Sequence, residues 1–264
     1  LDADTENLAR LQMRDNGKTL RECRVLAGKA AATFRYFAAV CETFEGELPP
    51  PRGNNWPVTV YEPVGVVGAI TPWNSPVTLE AQKLAPALAA GNSIVLKPSE
   101  VTPLIALEHA RIALEAGLPP GVVNVVSGGG DIGRALVGHP GVDMISFTGG
   151  TKTGSAIAEE TGRLLKPVML ELGGKSPNIV FADADMAKVV KGAGLGIFLG
   201  GGQSCIAGSR IFVEESVMDE FVDGLRAFAQ NFRLGPPEDD GTDTGPLASF
   251  PHRDRVDEYV DVGR

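Results

Sequence analysis

Residues 64–96 read VGVVGAITPWNSPVTLEAQKLAPALAAGNSIVL, and their pattern decides the fold. Val64–Ile70 is a nearly continuous apolar run, as expected of a strand buried on both faces. Thr71-Pro72-Trp73-Asn74 interrupts it with a turn. Pro76–Ala90 has helical spacing, opens on a proline and stops at Gly91. Ser93–Leu96 is extended again. Strand, helix and strand in ~30 residues make a unit whose two strands pair in parallel.

The alternation continues in both directions. Downstream, helices are predicted over Pro103–Ala116, Ile132–Val137 and Thr153–Thr161, with strands over Val122–Val126, Val142–Phe147 and Val168–Leu170. Beyond Gly173-Gly174 come strands at Pro177–Phe181 and Ser209–Val213 and helices at Met186–Leu199 and Val217–Phe232. Gly235–Pro246 reads as a loop, and a last helix starts near His252. The class is therefore α/β with parallel strands and right-handed crossovers. The diglycine is the expected boundary between two domains, 1–172 and 173–264. Upstream, Leu8 and Leu11 begin a helix that Asn16-Gly17 ends. Leu20, Cys23, Ala27, Ala30, Phe34, Phe37 and Cys41 form one stripe of a second, which predicts both cysteines as buried small hydrophobes. Residues 46–63 depart from the pattern: a Pro/Gly-rich stretch precedes Trp56–Tyr61, which reads as an extended strand outside the main domain.

Composition narrows the function. A net charge of −9, from 24 basic and 33 acidic residues, argues against a nucleic-acid binder, which would carry a basic face. No apolar stretch reaches the ~20 residues of a membrane helix. Three cysteines without a pairing pattern fit a reducing, cytoplasmic setting. The three histidines are scattered, so no metal site is signalled. The chain starts at Leu1 without a signal-peptide layout and ends just after a helical pattern, and it is expected to be a fragment.

In an open parallel sheet, ligands gather at the carboxyl ends of the strands. Those ends read Thr71–Asn74, Lys97-Pro98-Ser99-Glu100, Ser127–Gly130, Thr148–Thr151 and Glu171–Gly174. Gly128–Gly130 and Gly149-Gly150 open helices whose free N–H groups suit a phosphate, although ordinary tight turns use the same residues. Glu100 is placed to accept from a ribose, or is a plain surface carboxylate. The G-x-G-x-x-G fingerprint is absent after the first strand, so any dinucleotide is held differently. Cys205, in Gly200-Gly201-Gly202-Gln203-Ser204-Cys205, lies outside any apolar stripe. Either it is a nucleophilic thiol that glycines expose to a ligand, or it is a small buried residue in a turn. Glu171 closes an apolar strand, where burial would raise its pKa and make it a general base. Asn74 offers an amide that can stabilise an oxyanion. With no histidine near Cys205, a cysteine that adds to a carbonyl beside a nicotinamide fits better than a protease.

Together these residues resemble the aldehyde dehydrogenase superfamily over the whole length. The segments are Asp15-Asn16-Gly17-Lys18, Glu62–Val67, Thr71–Asn74, Gly91-Asn92-Ser93, Lys97–Glu100, Phe147-Thr148-Gly149, Glu171–Pro177 and Gly202–Cys205. The resemblance implies a Rossmann-like parallel-sheet cofactor domain plus an α/β catalytic domain, both incomplete. It implies Cys205 as nucleophile, Glu171 as general base and Asn74 as oxyanion amide, helped by the Cys205 backbone N–H. The cofactor would be NAD, with NADP possible because Lys97 stands beside Glu100. It would lie against Ile70, Thr71, Pro72, Trp73, Lys97, Ser99, Glu100, Gly129, Gly133, Phe147, Thr148, Gly149, Gly150, Thr153 and Leu172. The implied reaction oxidises a small-molecule aldehyde to an acid in a homodimer or homotetramer, with residues 46–63 in the association hairpin. The alternatives are release of the thioester to coenzyme A and a binding-only fragment without turnover. Gly150 stands where the family usually has serine. Ser75 and Gln82 replace tunnel aromatics, implying a more polar or wider tunnel. A Glu-Ile-Phe-Gly-Pro segment that binds the nicotinamide ribose has no counterpart here.

Overall fold

A computed structural model describes residues 1–264. Two helices lead, α1 (Thr5–Asn16) and α2 (Leu20–Thr43). Gly17, at φ 76°, ends α1 in the left-handed conformation, and the Thr19 hydroxyl accepts from the Glu22 N–H to start α2. Then β1 (Val66–Ile70), α3 (Pro76–Ala89), β2 (Ser93–Lys97), α4 (Leu104–Glu115), β3 (Val123–Val125), α5 (Gly130–Gly138), β4 (Met144–Thr148), α6 (Thr151–Arg163) and β5 (Val168–Glu171) alternate as expected. All five strands are parallel, in the order β3-β2-β1-β4-β5. From β1 the chain first builds outward through β2 and β3, then returns to the other side with β4. That reversal opens a crevice between the carboxyl ends of β1 and β4.

Apolar side chains on both faces hold the sheet. Val67, Ala69, Ile94 and Leu96 pack with Leu84 and Ala106 on one side. Ile70, Ile145 and Phe147 pack with Leu136, Val137 and Ile157 on the other. The first strand begins at Val66 rather than Val64 for a local reason. Gly65 has φ 121°, and a Cβ there would stand 2.2 Å from the Asp143 carboxylate. Asp143 in turn accepts from the Val66 N–H at 2.8 Å, which fixes the start of the strand.

A separate parallel pair follows, β6 (Pro177–Val180) and β7 (Arg210–Val213), covered by α7 (Met186–Phe198) and α8 (Met218–Gln230). Val180, Ala193 and Phe221 form its small core. A last helix, α9 (Phe250–Gly263), is capped by Ser249 and has no buried residue.

Two expectations fail. Trp56–Tyr61 forms no strand. Its backbone is tied to the opposite arm by one bond, Thr59 N–H to the Glu47 carbonyl, and a ladder needs a paired neighbour along its length. Cys41 is exposed, whereas Cys23 is fully buried. The buried residues of α2 all lie in its first half, Leu20 to Ala31, so the stripe outlasts its cover.

Ile145 is 0% exposed at the centre of β4. Ile145→Ala is expected to destabilise the protein by about 2–5 kcal/mol, read as a lower urea midpoint at unchanged slope. A change below about 0.5 kcal/mol would contradict this packing.

Candidate active site

The turn after β1 is held from both sides. The Thr71 N–H donates to the Lys97 carbonyl at 3.1 Å, which carries the β1–β2 pairing one residue further. Asn16, buried at the end of α1, donates through Nδ2 to the carbonyls of Trp73 (3.3 Å) and Asn74 (3.2 Å). The Trp73 ring packs against His252 of α9 at 4.6 Å between centroids. Burial, with Arg255 nearby, holds His252 below the usual histidine value.

Asn74 then reaches across to the second sheet, where its Nδ2 donates to the Gln203 carbonyl at 2.9 Å. That carbonyl lies two residues before Cys205. The loop there is shaped by Gly200, Gly201 and Gly202, at φ 59°, 65° and 73°, a run of left-handed residues that side chains would strain. Gln203 closes it. Its buried amide donates to the Gly200 carbonyl at 2.8 Å and accepts from the Ala248 N–H at 3.0 Å. Sequence reasoning passed over Gln203, although a glutamine between a triple glycine and a cysteine was the available signal.

Cys205 emerges from this loop exposed and free, so the reading of a buried turn residue is set aside. The Glu171 segment lies against it. A Cβ on Gly174 would stand 3.0 Å from the Cys205 carbonyl oxygen, so the diglycine allows close approach of the two segments. Glu171 is paired with Thr148 across the ladder, and its carbonyl accepts from the Gly149 N–H at 3.0 Å. The expected burial of Glu171 is wrong: the residue is exposed, because β5 is the outer strand and only Leu170 along it is even half-buried.

A buried base does stand nearby, and it was not anticipated. Lys83 of α3 lies beneath the sheet with its Nζ 2.9 Å from the Ser146 hydroxyl. Burial pushes its pKa down to about 8, while the charge of Glu171 acts in the opposite direction. His109, by contrast, is engaged elsewhere, its Nδ1 2.9 Å from the Glu80 carboxylate in a buried pair between α3 and α4.

The other strand-end residues face the same edge. Lys97 is buried; its Nζ donates to the Pro98 carbonyl at 2.8 Å and lies 3.5 Å from the exposed Glu100 carboxylate. Ser99 Oγ accepts from the Val101 N–H. Gly133 sits where a Cβ would be 3.9 Å from the Lys97 side chain. Gly129 and Gly150 are the caps of α5 and α6, and neither helix start has a side-chain partner. Thr153 lies in the first turn of α6. Leu172 packs onto Gly154, and the Phe147 ring onto Gly149. Ile70 and Thr148 are buried at the strand ends. Two uncapped helix starts offer N–H groups to a pyrophosphate. The buried Thr71 hydroxyl has no partner. With the Lys97 ammonium, these features fit a dinucleotide. An apolar cavity of about 700 Å³, lined in part by Phe34, Leu84, Leu88 and Val123, opens at the opposite ends of the strands.

The chain matches the model of the aldehyde dehydrogenase family over residues 1–264. It is 45% identical over 259 residues to betaine aldehyde dehydrogenase 2 of Rhizobium meliloti, covering 98% of this chain and 54% of that protein. Identity to the Bacillus subtilis betaine aldehyde dehydrogenase is 44% over 262 residues, with the same coverage of 98% and 54%. Among solved structures, a Burkholderia cenocepacia protein described as an aldehyde dehydrogenase superposes with a TM-score of 0.96 at 46% identity, over 99% of this chain and 54% of that one. The Staphylococcus aureus betaine aldehyde dehydrogenase in complex with NAD+ matches with a TM-score of 0.96 at 41% identity, over 99% and 52%. The chain thus spans about half the length of the curated relatives it matches.

Lys83 gives a pH test of this geometry. Between its folded value of about 8 and its ordinary 10.5, the unfolded chain holds a proton that the folded one has lost. Its contribution to stability therefore rises with pH across that window. Lys83→Met removes the contribution, so wild type should gain on the variant between pH 8 and 10.5 in urea denaturation. A constant difference would show that the ammonium is not desolvated.

Proposed function

The chain belongs to the aldehyde dehydrogenase family, and we propose that the protein containing it oxidises an aldehyde to a carboxylic acid with NAD+. The observation that carries this reading is the joining of Asn74 to the Cys205 loop through Gln203.

The Cys205 thiolate attacks the aldehyde carbon, forming a carbon–sulfur bond and an alkoxide. One Nδ2 hydrogen of Asn74 is used on Gln203, which leaves the second for that oxygen. The Cys205 backbone N–H is the other donor. Removing one such donor elsewhere costs about 10²–10³ in rate. Lys97, Thr71 and the starts of α5 and α6 would hold the cofactor. Bound NAD+ supplies the hydride acceptor. Glu171 takes a proton from water, which attacks the acyl carbon on Cys205 and releases the acid and the thiol. Exposure suits Glu171 to this role, since the attacking water must reach it. Glu100 favours NAD+ over NADP+ by repelling a 2′-phosphate.

The named relatives act on betaine aldehyde by their descriptions. A quaternary ammonium group is held by aromatic faces. Ser75, next to Asn74, and Gln82, on α3, are not aromatic, and the Trp73 ring is packed against His252. A more polar aldehyde suits this turn.

The proposed division is a cofactor domain, 1–172, and a catalytic domain, 173–264, and the presence of two separate sheets supports it. Residues 46–63 would join copies. The Phe44 ring packs tilted against Tyr61 at 4.8 Å, and Trp56, Val58 and Val60 are 70%, 65% and 73% exposed at alternate positions. Such a face suits burial against a second copy in a homodimer or homotetramer. The cytoplasm is the proposed location; no helix is long and apolar enough to cross a membrane.

Cys205→Ala should abolish NADH formation across an aldehyde panel in the protein of the relatives' length while leaving NAD+ binding intact. Turnover by the alanine variant would refute the cysteine mechanism.

A further inference from the structure

The turn Asn16-Gly17-Lys18 does more than join two helices. Asn16 is 2% exposed, and its single amide group donates to two successive carbonyls, those of Trp73 and Asn74. These two carbonyls belong to the peptide planes on either side of the Asn74 Cα. Fixing both planes fixes the two soft backbone dihedrals of Asn74. The direction of its Cα–Cβ bond, and so the reach of its amide, follows from them. Asn16 is itself held, because its Oδ1 accepts from the Lys18 N–H at 3.1 Å.

The same turn touches the cysteine side. Lys18 is 8% exposed, and its Nζ stands 2.1 Å from where a Cβ of Gly200 would lie, directly against the first glycine of the loop that carries Cys205. Gly17 packs as closely on the loop that leads to α9. A Cβ on Gly17 would meet the Pro246 carbonyl oxygen at 2.7 Å, and a Cβ on Gly245 would meet the Gly17 carbonyl oxygen at 2.0 Å. No side chain fits at either contact. Three consecutive residues therefore bear on the amide donor, the loop of the thiol and the segment that bonds Gln203.

We propose that Asn16 is a positioning residue that sets the direction of the Asn74 amide against the Cys205 loop, with Gly17 and Lys18 holding the loops around it in register. The proposal rests on the reading of Asn74 as the oxyanion donor. Asn16 touches neither substrate nor reacting atoms; it acts through Asn74.

The test is a double-mutant cycle in the protein of the relatives' length, read as kcat/KM for an aldehyde that the wild type oxidises. Asn16→Asp keeps the acceptor for Lys18 N–H but has no N–H to give. The expected loss is about ten- to a hundred-fold, with NAD+ affinity unchanged and Cys205 still labelled stoichiometrically by iodoacetamide. In the Asn74→Ala background the same substitution should cost almost nothing, because a residue acting through Asn74 has nothing left to position. Losses that multiply, or an Asn16→Asp enzyme with full activity, would overturn the proposal while leaving Asn74 in its role. Full activity of Asn74→Ala alone would instead bring down the reading beneath it. If Asn16→Asp does not fold, Asn16→Ser, which keeps one donor and sheds the second, enters the same cycle with a smaller expected loss and the same criterion.

Discussion

Two turns 129 residues apart in sequence meet through one hydrogen bond, from Asn74 Nδ2 to the Gln203 carbonyl at 2.9 Å. The proposed chemistry depends on it. Asn74 lies in the turn after β1 of the five-stranded sheet, and Gln203 closes the glycine loop of the second unit. The bond ties the turn that carries the amide to the loop that carries the thiol. Each end is secured by its own set of contacts: Asn16 holds the backbone of Asn74, while Gly200 and Ala248 bond the Gln203 side chain. A polar contact of this kind is worth only about 0.5–1.5 kcal/mol net. Its value in the proposed reaction lies in direction, since it takes up one amide hydrogen and would leave the other for a substrate oxygen.

The sheet makes this meeting geometrically available. Parallel strands deliver every following turn to one edge, and the reversal of order at β1 opens that edge between β1 and β4. Helices α5 and α6 start there on glycines, with no side chain covering their first N–H groups. Glycine serves a different purpose at 200–202, where positive φ is required. At 174, small size is what matters, because the Cys205 carbonyl is close by.

Much of this was legible in the sequence. The change from continuous apolar runs to helical spacing marked every strand and helix of the first sheet, with Gly91 ending α3 and Gly17 ending α1 where predicted. The strand-end turns picked out the candidate residues, because topology alone puts them on one edge. Sequence spacing carries no information on which distant turns touch, so Gln203 and Asn16 were passed over as partners of Asn74. Nor does it tell an inner strand from an outer one. Glu171 read as buried because its strand is apolar, yet β5 is at the margin of the sheet. Cys41 failed for a related reason, since periodicity reveals a stripe but not where its cover ends. Lys83 was invisible because a lysine in a helix ordinarily faces water, and only packing shows its ammonium against Ser146.

The central claim is that Cys205 carries the acyl group during turnover. The most direct measurement is the mass of the Cys205 peptide after Glu171→Gln protein is mixed with aldehyde and NAD+ and quenched in acid. An acyl adduct on that peptide alone, released slowly compared with wild type, is the predicted result. An unmodified Cys205 beside formed NADH, or an adduct on Cys23 or Cys41 instead, would contradict the account.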